Sequence, residues 1–214
     1  MSAILHPRTS SKPVLVVVVS LGSFINDEAL LINAMFECGL DIYHLRKHEA
    51  SAEQINGFMQ QIDPAYRDKI AVHQRHNHPI PSGVKRLHYP ARARPPRDAL
   101  RRSPYIVSTS CHSMNEYQHL ESGWSYAFIS PIFPSISKPG YGTDSRIDLP
   151  FPAEQSNGIK RIALGGLKKE NLEKLVGCGA DGVAFRGAVW QAPDPVAYLG
   201  SCISSLTHLT RCDA

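Results

Sequence analysis

Six consecutive apolar residues, Val14-Leu15-Val16-Val17-Val18-Val19, five of them β-branched, restrict the fold of this chain more than any other stretch. A strand with no polar position in either parity is buried on both faces, the condition of a strand in a parallel sheet covered by helices. A run of this length is too short to span a bilayer, and the segment ahead of it, Met1 to Pro13, lacks a signal-peptide cleavage pattern. No membrane segment is expected.

The rest of the chain repeats that unit. Asn26 or Asp27 can cap a helix running to about Cys38, with Gly39 past its end. Leu40 to Arg46 reads as a second strand, and Ser51 with Gln54 is a capping-box start for a helix to about Ile62. Lys69 to His73 and Val84 to Tyr89 give strands three and four, with little room for a helix between them. The Arg- and Pro-rich stretch Pro90 to Ser103 reads as an irregular or partly helical connection with a solvated basic face. Tyr105 to Ser110 is strand five, followed by a helix from Ser113 to about Gly123, and strand six begins near Phe128. Ile159 to Leu164 is strand seven, with a helix from Lys168 to Cys178, and Asp181 to Gly187 is strand eight, with a closing helix from about Asp194. Eight such units in 214 residues predict the α/β class and a single (β/α)8 TIM barrel with some helices shortened, residues 13–214, behind a tail of residues 1–12. No G-x-G-x-x-G follows strand one, so a dinucleotide-binding sheet is disfavoured.

Composition enters where it excludes partners. A formal charge of +4 suits anionic metabolites and is too weak to imply nucleic acid. Cys38, Cys111, Cys178, Cys202 and Cys212 form an odd set without a Cys-x-x-Cys pair, so neither a disulfide framework nor a zinc ribbon is indicated. A reducing cytoplasm is the expected location, and a homo-oligomer is left open.

Active sites of such barrels lie at the carboxyl ends of the strands. Those ends are polar here: His44, Arg46 and Lys47 after strand two, His73 and Gln74 after three, His88 on four, Ser110 and His112 after five. After strand six, Ser135, Ser137 and Lys138 precede Gly140 and Gly142, a pattern able to donate several hydrogen bonds to one anion. An ordinary Pro/Ser surface loop is the competing reading. Gly165-Gly166 after strand seven and Arg186-Gly187 after strand eight stand where barrels bind phosphate through loop amides and a helix N-terminus. The same glycines would also serve a tight turn with no ligand.

With these residues placed, the sequence resembles the thiamine phosphate synthase and TenI-like family from Val14 to about Leu199. The matches are Ser130-Pro131-Ile132-Phe133-Pro134-Ser135-Ile136-Ser137-Lys138, similar to the family's G-P-I-F-x-T-x-T-K, and Ala163-Leu164-Gly165-Gly166-Leu167 with Gly179-Ala180-Asp181-Gly182-Val183-Ala184. The resemblance implies a barrel transferase that joins a hydroxymethylpyrimidine pyrophosphate to a thiazole phosphate and releases pyrophosphate. It implies Ser135, Ser137 and Lys138 at the pyrophosphate, Gly166 with the backbone near Arg186 and Gly187 at the thiazole phosphate, and His44, Arg46 and Ser110 around the pyrimidine; His73 and Gly165 are further substrate-binding candidates from their strand-end positions alone. Arg46, Lys138 and His112 are the candidate catalytic groups.

The sequence departs from the family at its metal site. The family's Q-x-R-x-K is His44-Leu45-Arg46-Lys47-His48, its N-D is His73-Gln74, and its G-Q-x-D is Tyr89-Pro90-Ala91-Arg92. Magnesium is the family's cofactor, yet both aspartates that would hold it are missing, and imidazole replaces carboxylate poorly. No metal ligands are therefore assigned; either Arg46, Lys47 and Lys138 substitute for its charge or full synthase activity is lost. The TenI branch implies a thiazole tautomerase, but Pro131 occupies the place of its catalytic histidine, leaving His112 or His73 as the base. A non-catalytic paralogue that binds thiazole or thiamine phosphate is a third reading, and a zinc site of His44, His73 and His88 a fourth.

Overall fold

The computed structural model describes residues 14–74, 80–134, 145–153 and 156–212. Eight strands close into a barrel in chain order, every neighbouring pair parallel: β1 Leu15–Val19, β2 Ile42–Leu45, β3 Ile70–His73, β4 Arg86–Tyr89, β5 Ile106–Cys111, β6 Tyr126–Ile129, β7 Lys160–Leu164 and β8 Gly182–Phe185. The helices are α1 Glu28–Glu37, α2 Ala52–Gln61, α3 Arg97–Arg101, α4 Met114–Gln118, α5 Gly187–Trp190 and α6 Pro195–Cys212. The expected TIM barrel with shortened helices is what the chain forms. The residue 1–12 tail lies outside the described residues.

The valine run feeds two cores at once. Val17 and Val19 join Ile42, Ala71, Tyr126, Phe128, Ile162 and Ala184 inside the barrel, while Val16 and Val18 pack with Ile32, Met35, Leu199 and other residues under the helices. Side chains alternate along a strand, so a strand with both faces covered needs apolar residues in both parities. Ser51 caps α2 as its sequence predicts, its hydroxyl accepting from the Gln54 N–H while the Gln54 side chain accepts from the Ser51 N–H. Among the described residues, no helix is long and apolar enough to cross a membrane.

Local expectations shift in four places, the first being the helix expected from Ser113 to about Gly123, which ends at Gln118. Asp27 begins α1 in a left-handed conformation without a capping side-chain bond; Glu28 instead accepts from the Ile25 N–H. The helix expected from Lys168 to Cys178 is a 3₁₀ turn over Lys169–Leu175. Asn171 ties its start to the preceding loop, accepting from the Lys168 N–H at 3.0 Å and donating to the Gly166 carbonyl at 2.9 Å. Between β8 and the long α6 stands the unanticipated one-turn α5, whose Trp190 indole donates to the Val19 carbonyl at the end of β1. That bond closes the barrel rim beside Arg186.

Candidate active site

At the carboxyl ends of the strands lies a cavity of about 250 Å³. Its described lining includes Arg46, His73, His88, Ser110, His112, Gly165, Gly166, Arg186 and Gly187, so nine of the residues marked out by strand-end position converge there. Ser135, Ser137 and Lys138 lie outside the described residues. His44 does not line the cavity; it is completely buried one layer below.

Strand parity explains the sorting. On β2, Ile42, His44 and then Arg46 point inward, whereas Tyr43, Leu45 and Lys47 point toward the helices. Lys47, expected as a site cation, is accordingly turned away: its Nζ sits 2.7 Å from Glu28 Oε2 and 2.7 Å from the Ser23 carbonyl, buried behind the barrel wall. Arg46 keeps its place at the rim, its backbone N–H donating to Ser20 Oγ at 2.7 Å.

Beneath the cavity floor the imidazoles form one network. His44 Nε2 is 2.7 Å from the Tyr126 hydroxyl, and His44 Nδ1 is 3.0 Å from His73 Nε2. His88 Nδ1 and Nε2 lie 2.9 Å from Ser108 Oγ and Ser110 Oγ. Ser108 Oγ also donates to the Leu87 carbonyl, so it accepts from His88 and assigns the ring its Nδ1–H tautomer. Burial pushes all three histidines below the ordinary imidazole range: His44 and His73 well below it, helped by neighbouring imidazoles and arginines, and His88 to about 3, helped by Arg46 and Arg94. Neutral rings at pH 7 follow. Burial likewise raises the Tyr126 phenol to about 12.

His112 is held by a second arrangement that sequence reasoning missed. Arg94 donates to Thr109 Oγ1 at 2.9 Å, to the Ser110 carbonyl at 2.6 Å and to Glu116 Oε1 at 2.7 Å. Glu116 Oε2 in turn accepts from the His112 N–H at 2.6 Å. The expected solvated basic face holds for Arg92, Arg97, Arg101 and Arg102 but not for Arg94, which ties the end of β5 to α4. The signal was Ser113 with Glu116, a short cap after strand five. His112 Nδ1 lies 3.2 Å from the Ser130 carbonyl, a bond only an Nδ1–H can make, so the neutral ring carries its lone pair on Nε2.

The glycines have packing reasons of their own. Gly166 has φ 62°, and a Cβ there would meet the Pro134 carbonyl oxygen at 2.2 Å and Phe133 Cβ at 2.7 Å. Only glycine lets the β7 loop lie against the β6 loop at this point. The helix N-terminus expected beside Gly187 is the single turn α5, too short to act as a helix dipole of consequence.

Charge balance sets the chemistry. Burial and the nearby Arg186 charge both draw the Arg46 guanidinium below its usual range, and Arg186 Nε is buried without a hydrogen-bond partner among the described residues. Among the described lining residues none is a carboxylate. The described lining residues therefore do not fit magnesium, which takes oxygen ligands and is held in protein sites through carboxylates. They fit an anion.

A family profile described as thiamine monophosphate synthase matches residues 15–189. The chain is 31% identical over 99 residues to the thiamine-phosphate synthase of Geobacillus thermodenitrificans, 43% of this chain and 42% of that one, so the match spans under half of that relative. A Geobacter sulfurreducens relative whose name carries a provisional thiamine-phosphate synthase assignment is 25% identical over 72% of this chain and 73% of its own. In three dimensions, thiamine phosphate pyrophosphorylase from Bacteroides thetaiotaomicron superposes with TM-score 0.65 at 26% identity, over 93% of this chain and 98% of the other. The Pyrococcus furiosus protein of the same name reaches TM-score 0.73 at 19% identity, over 93% and 98% of the two chains, a likeness of fold alone.

Proposed function

We propose, for a chain that belongs to the thiamine monophosphate synthase family, that its barrel-mouth cavity couples a pyrimidine pyrophosphate to a thiazole phosphate, forming thiamine phosphate and releasing pyrophosphate. The carrying observation is the cavity's charge: two guanidiniums, neutral imidazoles and glycine loops, with no carboxylate among the described lining residues. Two phosphorylated ligands require such a surface, since each brings negative charge that a carboxylate would repel.

The chemistry asks for stabilised charge and correct orientation. As the pyrimidine carbon loses pyrophosphate, negative charge grows on the leaving oxygen, and fixed guanidinium donors favour that state over the ground state. Arg46 and Arg186 hold that role in this reading. Ser135, Ser137 and Lys138 join them on the sequence resemblance alone. The thiazole phosphate rests against Gly165-Gly166 and Gly187, keeping the ring nitrogen in line with the cationic carbon. Neutral His73, His88 and Ser110 offer hydrogen bonds to the aminopyrimidine without adding charge.

Thiamine phosphate formation from the two precursors, followed by chromatography with and without magnesium, tests this. Product in both conditions, lost in Arg46→Ala, is the expected outcome. Thiazole phosphate bound tightly in calorimetry but never turned over would replace the synthase with a binding protein, and absence of both binding and product would remove the thiamine role.

One observation favours a second reading. His112 presents its Nε2 lone pair while Glu116 and the Ser130 carbonyl fix its place, the posture of a general base. Proton transfer on a thiazole carboxylate phosphate would use it. Deuterium exchange into that compound, abolished in His112→Gln, would support the tautomerase; exchange unaffected by the substitution would dismiss His112 as the base.

A further inference from the structure

The three imidazoles below the cavity floor exceed what anion binding requires. His44, His73 and His88 stand on adjacent strands, His73 paired in register with His88 and His44 with Ala71. One ligand nitrogen from each lies within 4.8 Å of the other two. A tetrahedral zinc centre with Zn–N bonds of about 2.0–2.1 Å separates its ligand nitrogens by roughly 3.3 Å. The 3.0 Å between His44 Nδ1 and His73 Nε2 is thus close to chelating separation, and His88 has a short closure to make.

The outer nitrogens are already arranged as metal-bound histidines require, each held by a neighbouring group that fixes tautomer and ring orientation. Ser108 accepts from His88 Nδ1–H, leaving the Nε2 lone pair directed toward Ser110 and the cavity. The Tyr126 oxygen can accept from His44 Nε2–H, leaving the lone pair on Nδ1. His73 then gives its Nε2 lone pair by moving its proton to Nδ1, on the ring that borders the cavity. No proton need leave the protein.

We propose that His44, His73 and His88 form a three-imidazole site for a divalent ion of the borderline class, zinc or cobalt, with its open coordination position facing the cavity. Nitrogen donors select such ions and not magnesium. Arg46 and Arg186 oppose a bare cation, so an anion such as phosphate at the open position completes the charge balance. This site goes beyond the coupling reaction and does not depend on it.

Titration of the full chain with cobalt(II), read by visible absorption, tests the site. One cobalt per chain with a tetrahedral spectrum is expected, displaced by zinc, indifferent to excess magnesium, and tightened severalfold by inorganic phosphate. His73→Gln, on the cavity wall, should weaken binding at least tenfold with an unchanged circular dichroism spectrum, and His88→Ala should abolish it. His119→Ala, just past α4, and joint replacement of His76 and His78 should leave it intact. Failure of the wild-type chain to give the tetrahedral spectrum overturns the site, as does cobalt that survives His73→Gln yet disappears with His76 and His78.

Discussion

Two buried polar groups of residues sit back to back on β2, and they differ in how completely they are paired. Outward, Lys47, Glu28 and Tyr43 form a closed set: the ammonium meets one carboxylate oxygen at 2.7 Å and the phenol meets the other at 2.7 Å. Inward, Arg46 faces Arg186, and His44, His73 and His88 lean on one another, with no carboxylate among the described lining residues. The first set fastens α1 to the barrel. The second leaves the positive charge of Arg46 and Arg186 without a carboxylate among the described lining residues.

Breaking the outward set should have the largest effect on stability. Glu28→Ala takes the counter-charge from a buried ammonium and the acceptor from a buried phenol, and about 3–5 kcal/mol should be lost in urea denaturation. Replacing Glu28 and Lys47 together by Gln and Met should cost less than Glu28→Ala alone, because no charge is then left unpaired.

Acid should act on the inward set. His88 is held near 3 in the folded chain against about 6.5 for a free imidazole, so below pH 6.5 the unfolded chain binds the proton that the folded one refuses. The stability is fully present above pH 6.5 and is lost as pH falls toward 3, by at most about 1.4 kcal/mol per unit from this group. His88→Asn should flatten denaturation midpoints measured between pH 6.5 and 4, although it removes bonds to Ser108 and Ser110. An unaltered slope would place the acid sensitivity elsewhere.

The smallest stability effect belongs to the residue with the largest expected role in binding. Arg46→Ala should change unfolding free energy by less than about 1 kcal/mol, since removing one of two facing cations relieves repulsion. Phosphate-ligand affinity should fall tenfold or more, as loss of a charge-assisted bond of about 1.5–3 kcal/mol requires. If stability and affinity fell together, the contrast between the two faces of β2 would not hold.

Much of the barrel was legible because burial on both faces writes itself into composition. Val14 to Val19, the Ser51 and Gln54 cap, and the polar strand ends all stand where local chemistry puts them. Arg94 and Lys47 were not legible, because an arginine in a Pro/Arg-rich stretch and a lysine beside a rim arginine look solvated until a distant carboxylate is placed against each. Tyr126 and Ser108 escaped notice for a similar reason: both read as ordinary strand residues.

The sequence by itself determined that strands and helices alternate eight times, that the polar residues gather at strand ends, and that the carboxylates of a magnesium site are absent from His73-Gln74 and Tyr89 to Arg92. A period of two tells which side chains share a face but not which face meets the barrel axis. Closure of the sheet decided that, sending His44 and Arg46 inward and Lys47 outward to Glu28. It also decided the spacing of His44, His73 and His88, because side chains separated by 29 and 15 residues become neighbours only when parallel strands set their register.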